Sequence, residues 1–240
     1  MASWRQVLEP RVQTIFRRLG FEVRRFDGFG IHPLADVRKI LAASVHGLIV
    51  FDVGANTGQT IRRVRDFFPE PVVHAFEPSE ATFAVLQGRY GRTPEVHLNR
   101  VALGSVEEER PFFEHESSSM SSFLPLGLDG WGAVQKSSFV PVTTIDAYCH
   151  RRGIDQIDLL KIDTQGFELE VLAGATRVLG EGRVTFVLLE VNFAPIYEGS
   201  PSFHDLSTVL FEHGFVLVSL YNLHHVKHRA GWADALFTTA

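Results

Sequence analysis

The stretch HGLIVFDVGANTGQT, His46 to Thr60, decides how this chain is read. A continuous apolar run from Leu48 to Phe51 ends in Asp52, Val53 and Gly54, and a glycine-bearing turn then leads into QTIRRVRDFF. An unbroken apolar run of this length suits a parallel strand covered on both faces, and the next ten residues suit its crossover helix. Working outward, the same alternation recurs. VVHAFEP (72–78) is a second strand and SEATFAVLQGR a helix with Ser79 as N-cap. EVHLNRVALG (95–104) is a third strand with its exit, and TTIDAYCHRRG a short helix. IDLLKID (157–163) and RVTFVLLEV (183–191) are the fourth and fifth strands, separated by the single helix GFELEVLAGATRVL. SFHDLSTVLFEHG is a further helix, and FVLVSLYN with WADALFTT closes the sheet as an antiparallel pair. The expectation is one α/β domain with helices on both faces of a mostly parallel sheet.

Residues 105–139 break the rhythm: an acidic run, then SSSMSS, then LGLDGWG. That is too long for a simple connection and predicts an inserted substrate loop with short strands of its own. Upstream, residues 1–47 read as a separate helical and extended cap on a 48–240 domain, with amphipathic spacing from Trp4 to Leu19 and a helix starting near Asp36. A homodimer contact through this segment is one expectation for it.

Composition narrows the partners. The 240 residues carry 23 basic and 28 acidic side chains, a formal net charge of -5, which argues against a nucleic-acid binder. A single cysteine, Cys149, excludes intrachain disulfides and cysteine-cluster metal sites. No run approaches the roughly 18–20 apolar residues of a membrane span. Glu9, Pro10 and Arg11 interrupt the place where a signal peptide would be apolar, so a cytoplasmic setting is expected. Phe is over-represented, at 20 residues against 4 Tyr and 3 Trp.

Chemistry concentrates at the strand ends. Gly54 and Gly58 let backbone approach a ligand, and the helix that follows presents free N–H groups. The loop lacks the Lys-Ser/Thr ending of a Walker phosphate site, and Ala55 and Asn56 replace the glycine pair of a dinucleotide fold. Asp52 suits a ligand ammonium group. Glu77, ending the second strand, suits the two hydroxyls of a ribose. A glycine loop and a ribose acid without a pyrophosphate clamp point to S-adenosyl-L-methionine. Asp163 ends the fourth strand two residues after Lys161, and Glu190 ends the fifth. Lys161 and Asp163 read either as an internal ion pair or as part of an acceptor site. Asp163 is the first candidate for the base that takes an acceptor hydroxyl proton and Glu190 the second. A histidine of the carboxyl-terminal region, His225 first among His204, His224, His225 and His228, is the third. HHVKH also has the spacing of metal ligands, but its flank SLYN reads as strand and loop.

FDVGANTGQT, HAFEP, NRVALG, VTTIDAY, DLLKIDTQGFELEVLAGA, LLEVN and WADALF together resemble the FkbM family of S-adenosylmethionine-dependent methyltransferases, in the family's order, across roughly residues 48–237. The resemblance implies a class I methyltransferase Rossmann-like fold with a seven-stranded, mostly parallel sheet. It implies O-methylation of a sugar, polyketide or peptide hydroxyl in natural-product biosynthesis. It puts Asp52, Gly54, Asn56 and Gly58 around the methionine portion, and Glu77 with Pro78 at the ribose. Val101, Ala102 or Leu103 falls at the adenine, Ser119 and Ser121 in a polar loop, and Asp163 beside the donor methyl. Gln165 stands where the family motif often has Glu. A divalent ion that acidifies the acceptor is an alternative that is not favoured. An NAD(P)-dependent oxidoreductase and a non-catalytic binding module are the competing functions. GLDGWG and residues 195–200 are expected to help build the acceptor pocket, with Trp131, Phe193 and Tyr197 either stacking on a sugar or apolar ring or packing under the lid.

Overall fold

The computed structural model describes residues 14–16, 18–19, 28–41 and 46–239. Most of the 1–47 segment, and with it the proposed dimer contact, lies outside the described residues. Helix α1 (Pro33–Ile40) is described, and it begins three residues before Asp36. Pro33 opens it because proline's missing N–H and fixed φ suit the first helical position.

The elements then run β1 (Ile49–Val53), α2 (Gln59–Phe67), β2 (Val72–Phe76), α3 (Glu80–Tyr90), β3 (Val96–Asn99), β4 (Ala102–Leu103), β5 (Glu108–His115), β6 (Val134–Thr143), α4 (Ile145–Arg152), β7 (Ile157–Ile162), α5 (Glu168–Ala173), α6 (Thr176–Gly180), β8 (Val184–Asn192), α7 (Phe203–Glu212), β9 (Phe215–Val226) and β10 (Arg229–Thr239). Seven strands form one sheet in the order β3-β2-β1-β7-β8-β10-β9. All run parallel except β10, which pairs antiparallel with both β8 and β9. This is the class I methyltransferase sheet. It places the ends of β1, β2, β7 and β8 along one rim, where ligands bind in open α/β sheets.

Two expectations need correction. EVHLNRVALG is more than a third strand with its exit: β3 ends at Asn99, and the exit carries a strand of its own, β4, which joins β6 and β5 in a separate three-stranded sheet. The chain therefore leaves the main sheet at Arg100 and carries Ala102 and Leu103 onto the inserted layer. The helix expected over 166–179 is two short helices, α5 and α6, broken at Gly174. A Cβ there would stand 2.0 Å from the Gly104 carbonyl oxygen, so only glycine lets the turn meet that backbone.

Buried side chains fill both faces. Leu34 and Val37 of α1, Ile61 and Val64 of α2 and Leu86 of α3 cover one face, over Val50, Leu159, Phe186 and Leu236. The other face packs Tyr148, Val171, Val178, Leu206 and Leu210 from α4–α7 on Phe51, Phe76, Leu160, Val187 and Phe237, together with the inserted sheet. Phe51, Phe76, Phe186 and Phe237 are fully buried, so much of the phenylalanine excess is core. At roughly 25 cal/mol per Å² of apolar surface, each such ring contributes about 2–3 kcal/mol.

Helix α1 is pinned at its polar end. Asp36, buried in the interface, accepts from the Gly30 N–H at 2.6 Å and from the Tyr221 hydroxyl of β9 at 2.8 Å, with Lys39 3.2 Å away. A segment distant in sequence from β9 is thereby fixed to it.

Candidate functional site

A cavity of about 290 Å³ opens along the strand-end rim. One part is apolar, lined by Phe76, Ala102, Leu103, Phe112 and Phe123. The other is polar, lined by Lys161, Asp163, Glu190, Asn222 and Asp234, with His32 and Arg63 on its wall. Gly54, Ala55 and Asn56 form the ridge between them, and Glu77, Pro78, Ser119 and Ser121 also face in.

The glycine loop is closely built. Gly54 has φ +77°, and a Cβ there would lie 1.9 Å from the Asp163 carbonyl oxygen. The loops after β1 and β7 touch there, which only glycine permits. Asn56, at φ +48°, donates its backbone N–H to Glu77 Oε2 at 2.9 Å and accepts the Ser118 hydroxyl at 3.0 Å on Oδ1. The Ser79 N–H donates to Glu77 Oε1 at 2.9 Å. Each Glu77 oxygen thus keeps a lone pair free for a further donor. Burial pushes the Glu77 carboxyl up to about 7, against these two backbone donors.

Asp52 and Gly58 are placed differently from the sequence reading. Asp52 is fully buried and does not line the cavity; Lys161 Nζ sits 3.1 Å from its Oδ1. The same ammonium lies 3.4 Å from Asp163 Oδ2 and donates to the Gly54 carbonyl at 3.1 Å. Burial works to neutralise Lys161, but Asp52 and then Asp163 outweigh it and hold it well above the usual lysine range. Burial pushes the Asp52 carboxyl up and Lys161 pulls it back. Asp52 thus holds a lysine of the chain itself. Gly58 packs under α3: a Cβ there would stand 2.3 Å from the Tyr90 ring. Its glycine serves helix packing, and it is not a lining residue.

The polar part is a row across the sheet. β7 supplies Lys161 and, at its end, Asp163; β8 supplies Glu190; β10 supplies Asp234, paired directly opposite Glu190; β9 supplies Asn222. Asn222 Nδ2 donates to Asp234 Oδ2 at 2.8 Å. Gln165 Nε2 reaches both Asp163 Oδ1 at 2.7 Å and Glu190 Oε1 at 3.1 Å. Burial raises the Glu190 carboxyl well above its ordinary range, reinforced by Asp163, Glu168 and Asp234, with Lys161 opposing. Burial likewise raises Asp234. Glu168, the first residue of α5, is buried and accepts from the Thr164 and Gly166 N–H groups at 3.0 and 3.1 Å, which fixes the loop carrying Gln165.

The histidine candidates fall elsewhere. His225 is exposed near the tip of the β9–β10 hairpin, opposite Ala230, and does not line the cavity; His224 stacks on Trp232 with ring centroids 4.7 Å apart. The hairpin's register shifts carry these side chains past the carboxylate row. The catalytic role expected of His225 has no place in the lining of this cavity. His204 and His228 are also absent from the lining. Among the described residues, no group of three or more His, Cys, Asp or Glu side chains is arranged to hold a metal ion.

Of the expected aromatic platform, Tyr197 is buried with its hydroxyl on Gln165, Phe193 packs on Phe203, and Trp131 packs on Trp232. GLDGWG does join residues 195–197, through the Gly127 N–H to the Ile196 carbonyl at 2.8 Å and the Asp129 N–H to the Pro195 carbonyl at 3.1 Å. Several lining groups were not foreseen, among them Phe112 and Phe123 from the insertion, His32 before α1, Arg63 of α2, and Asn222 and Asp234. Alternation in WADALF puts Trp232, Asp234 and Leu236 on one face, a signal that could have found Asp234.

Comparisons with known proteins identify the family. The model of the methyltransferase FkbM domain matches residues 52–217. The 2-O-methyltransferase NoeI of Sinorhizobium fredii is 26% identical over 63% of this chain and 66% of its own length. The 31-O-demethyl-FK506 methyltransferase FkbM of Streptomyces tacrolimicus is 30% identical over 72% of this chain and 74% of its own. The hexuronic acid methyltransferase AglP of Haloferax volcanii is 27% identical over 65% and 61%. The chain thus spans just under two thirds of the length of the first and third of these relatives. With the family match covering most of the chain and lying over the strand-end cavity, the chain belongs to the FkbM family of S-adenosylmethionine-dependent methyltransferases.

Proposed function

We propose that this protein methylates a hydroxyl group of a small molecule, a sugar or a polyketide or peptide natural product. The observation that carries the reading is the junction, in one cavity, of an apolar slot beside Glu77 with a carboxylate pair, Asp163 and Glu190, at the ends of adjacent strands. The relatives named for 2-O-methylation, for methylation of demethyl-FK506 and for hexuronic acid methylation support the acceptor class.

The donor set fits S-adenosylmethionine. Glu77, with a free lone pair on each oxygen, takes the ribose hydroxyls, and Ala102, Leu103, Phe112 and Phe123 take the adenine. Gly54, Asn56, Ser119 and Ser121 hold the methionine side. When bound, the cofactor supplies an electrophilic methyl group on a sulfonium. The chain's contribution is alignment and proton removal. Asp163, held by Lys161 and Gln165, is the base that receives the acceptor proton on a carboxylate oxygen, with Glu190 beside it to share the charge. α1 and the insertion exclude water from the two ends.

Residues 48–240 act as the methyltransferase domain and 105–139 as its substrate loop, in a cytoplasmic protein; no helix of the described residues is long and apolar enough to cross a membrane. The test is calorimetric titration with S-adenosylhomocysteine and NADH, followed by a methyl-transfer screen against glycosides and macrocycle hydroxyls read by mass. Binding of the first ligand and a gain of one methyl mass are expected; binding of NADH alone would overturn the reading.

A further inference from the structure

We propose that Tyr197 and Gln165 form a clamp that holds Asp163 and Glu190 as one coupled carboxylate pair, with Tyr197 a positioning residue acting through the Gln165 amide. The proposal rests on the function above for the purpose of that pair, but its geometry stands alone.

An amide side chain has one acceptor end and one donor end, and with both carboxyls ionised only one orientation satisfies this site. The Tyr197 hydroxyl, in a side chain only 2% exposed, donates to Gln165 Oε1 at 2.8 Å. Gln165 Nε2 then spends its two N–H groups on Asp163 Oδ1 and Glu190 Oε1. Turning the amide over would set its oxygen against two carboxylates. A Glu at this position has no N–H to offer either neighbour, so the residue that departs from the family's motif is the one that can bridge both acids.

The clamp is also anchored to the acceptor side of the cavity. Tyr197 is bridged to Leu126, and its hydroxyl lies 3.2 Å from the Met120 carbonyl, so the insertion and the 193–200 loop are tied to the pair through one ring. Gln165 holds a left-handed backbone, φ +58°, fixed by the Glu168 contacts to Thr164 and Gly166.

The charged groups facing Glu190 are Asp163 and Lys161 on β7, Glu168 on α5 and Asp234 on β10, with Arg63 and His32 farther along the wall. Three of these, Asp163, Glu168 and Asp234, repel a second negative charge, and among the described residues the Gln165 N–H is the uncharged donor on it. A donor on the charged form lowers a carboxyl's proton affinity. Weakening the clamp therefore moves Glu190 to higher pH.

The experiment is a pH titration of the full chain labelled with carboxyl-13C glutamate, with the Glu190 resonance assigned by its loss in Glu190→Gln. Gln165→Asn keeps an amide and tolerates the left-handed backbone but is one methylene short of the bridge. Its Glu190 midpoint is expected about one pH unit above wild type, a tenfold change in proton affinity. Tyr197→Phe is expected to shift it in the same direction by less. Midpoints unchanged in both folded variants would overturn the clamp. So would a downward shift in either. S-adenosylhomocysteine titration of the same samples separates the two readings: wild type that fails to bind it sinks the methyltransferase assignment and leaves the clamp standing on its own midpoint shift.

Discussion

Lys161 Nζ stands 3.1 Å from Asp52 Oδ1, and its other two contacts are Asp163 and the Gly54 carbonyl. One hydrogen bond and two ion pairs thus commit this ammonium to the chain itself, and they bind the ends of β1 and β7 together. Lys161→Met leaves Asp52 buried without its counter-charge. It is expected to destabilise the fold by about 3–5 kcal/mol, a fall in melting temperature of roughly 10 °C. Adding Asp52→Asn should restore part of the loss, because a buried amide costs less than a buried lone carboxylate. Thermal denaturation of both variants reads the outcome.

Glu77→Ala is expected to weaken S-adenosylhomocysteine by about 100-fold, since two hydrogen bonds to a carboxylate are removed. The pH dependence follows from a carboxyl raised to about 7. Hydroxyl donors favour the ionised form, so affinity in wild type should rise with pH up to about 7 and level off above it. Calorimetry across pH 5.5–8.5 checks the slope, which Glu77→Gln should lack.

Gly58→Ala tests whether the second glycine of the loop serves ligand or fold. Its φ of +91° and the Tyr90 ring 2.3 Å from a new Cβ both oppose a side chain. A loss of roughly 2–4 kcal/mol is expected, with cofactor affinity of the folded protein little changed. A large affinity loss at unchanged melting temperature would return Gly58 to the ligand site.

Tyr221→Phe removes a donor from buried Asp36 and is expected to cost about 1–3 kcal/mol. The loss should be local. α1 becomes the first target of limited proteolysis, while the sheet stays protected, as mass mapping of early fragments would reveal.

Asp163→Asn is expected to lower turnover by about 100-fold or more while changing S-adenosylhomocysteine affinity by less than about tenfold. A parallel loss of both would make Asp163 a binding residue alone.

The rim carboxylates were legible because a buried parallel strand announces its own end: an apolar run stops, and the next polar side chain faces the crevice. Asp163, Glu77 and Glu190 follow from that rule. Asp52 obeys it in sequence but lies one pleat inside, where Lys161 claims it, and no local pattern distinguishes the two cases. Phe112 and Phe123 escaped because their register depends on how the insertion folds back on β6. Asp234 escaped because β10 enters from the rim, so its cavity residue comes early in the strand rather than at its end. His225 was misplaced for a related reason, since the β9–β10 bulges shift a hairpin whose strands are otherwise clear from alternation.

Strand β10 is last of the seven in chain order, yet it lies between β8 and β9. During synthesis, which adds about 5–20 residues per second, β1, β2 and β3 can pair as soon as they emerge. The carboxylate row cannot close until Asp234 leaves the ribosome and β10 threads between two strands already made. Until then β8 shows an unpaired edge with Leu188 and Glu190 on its open face, the kind of template that invites pairing with another chain. The part of the cavity built by β1, β2 and β7 thus precedes in chain order the part that Asp234 completes, and the unpaired edge of β8 falls in the interval between them.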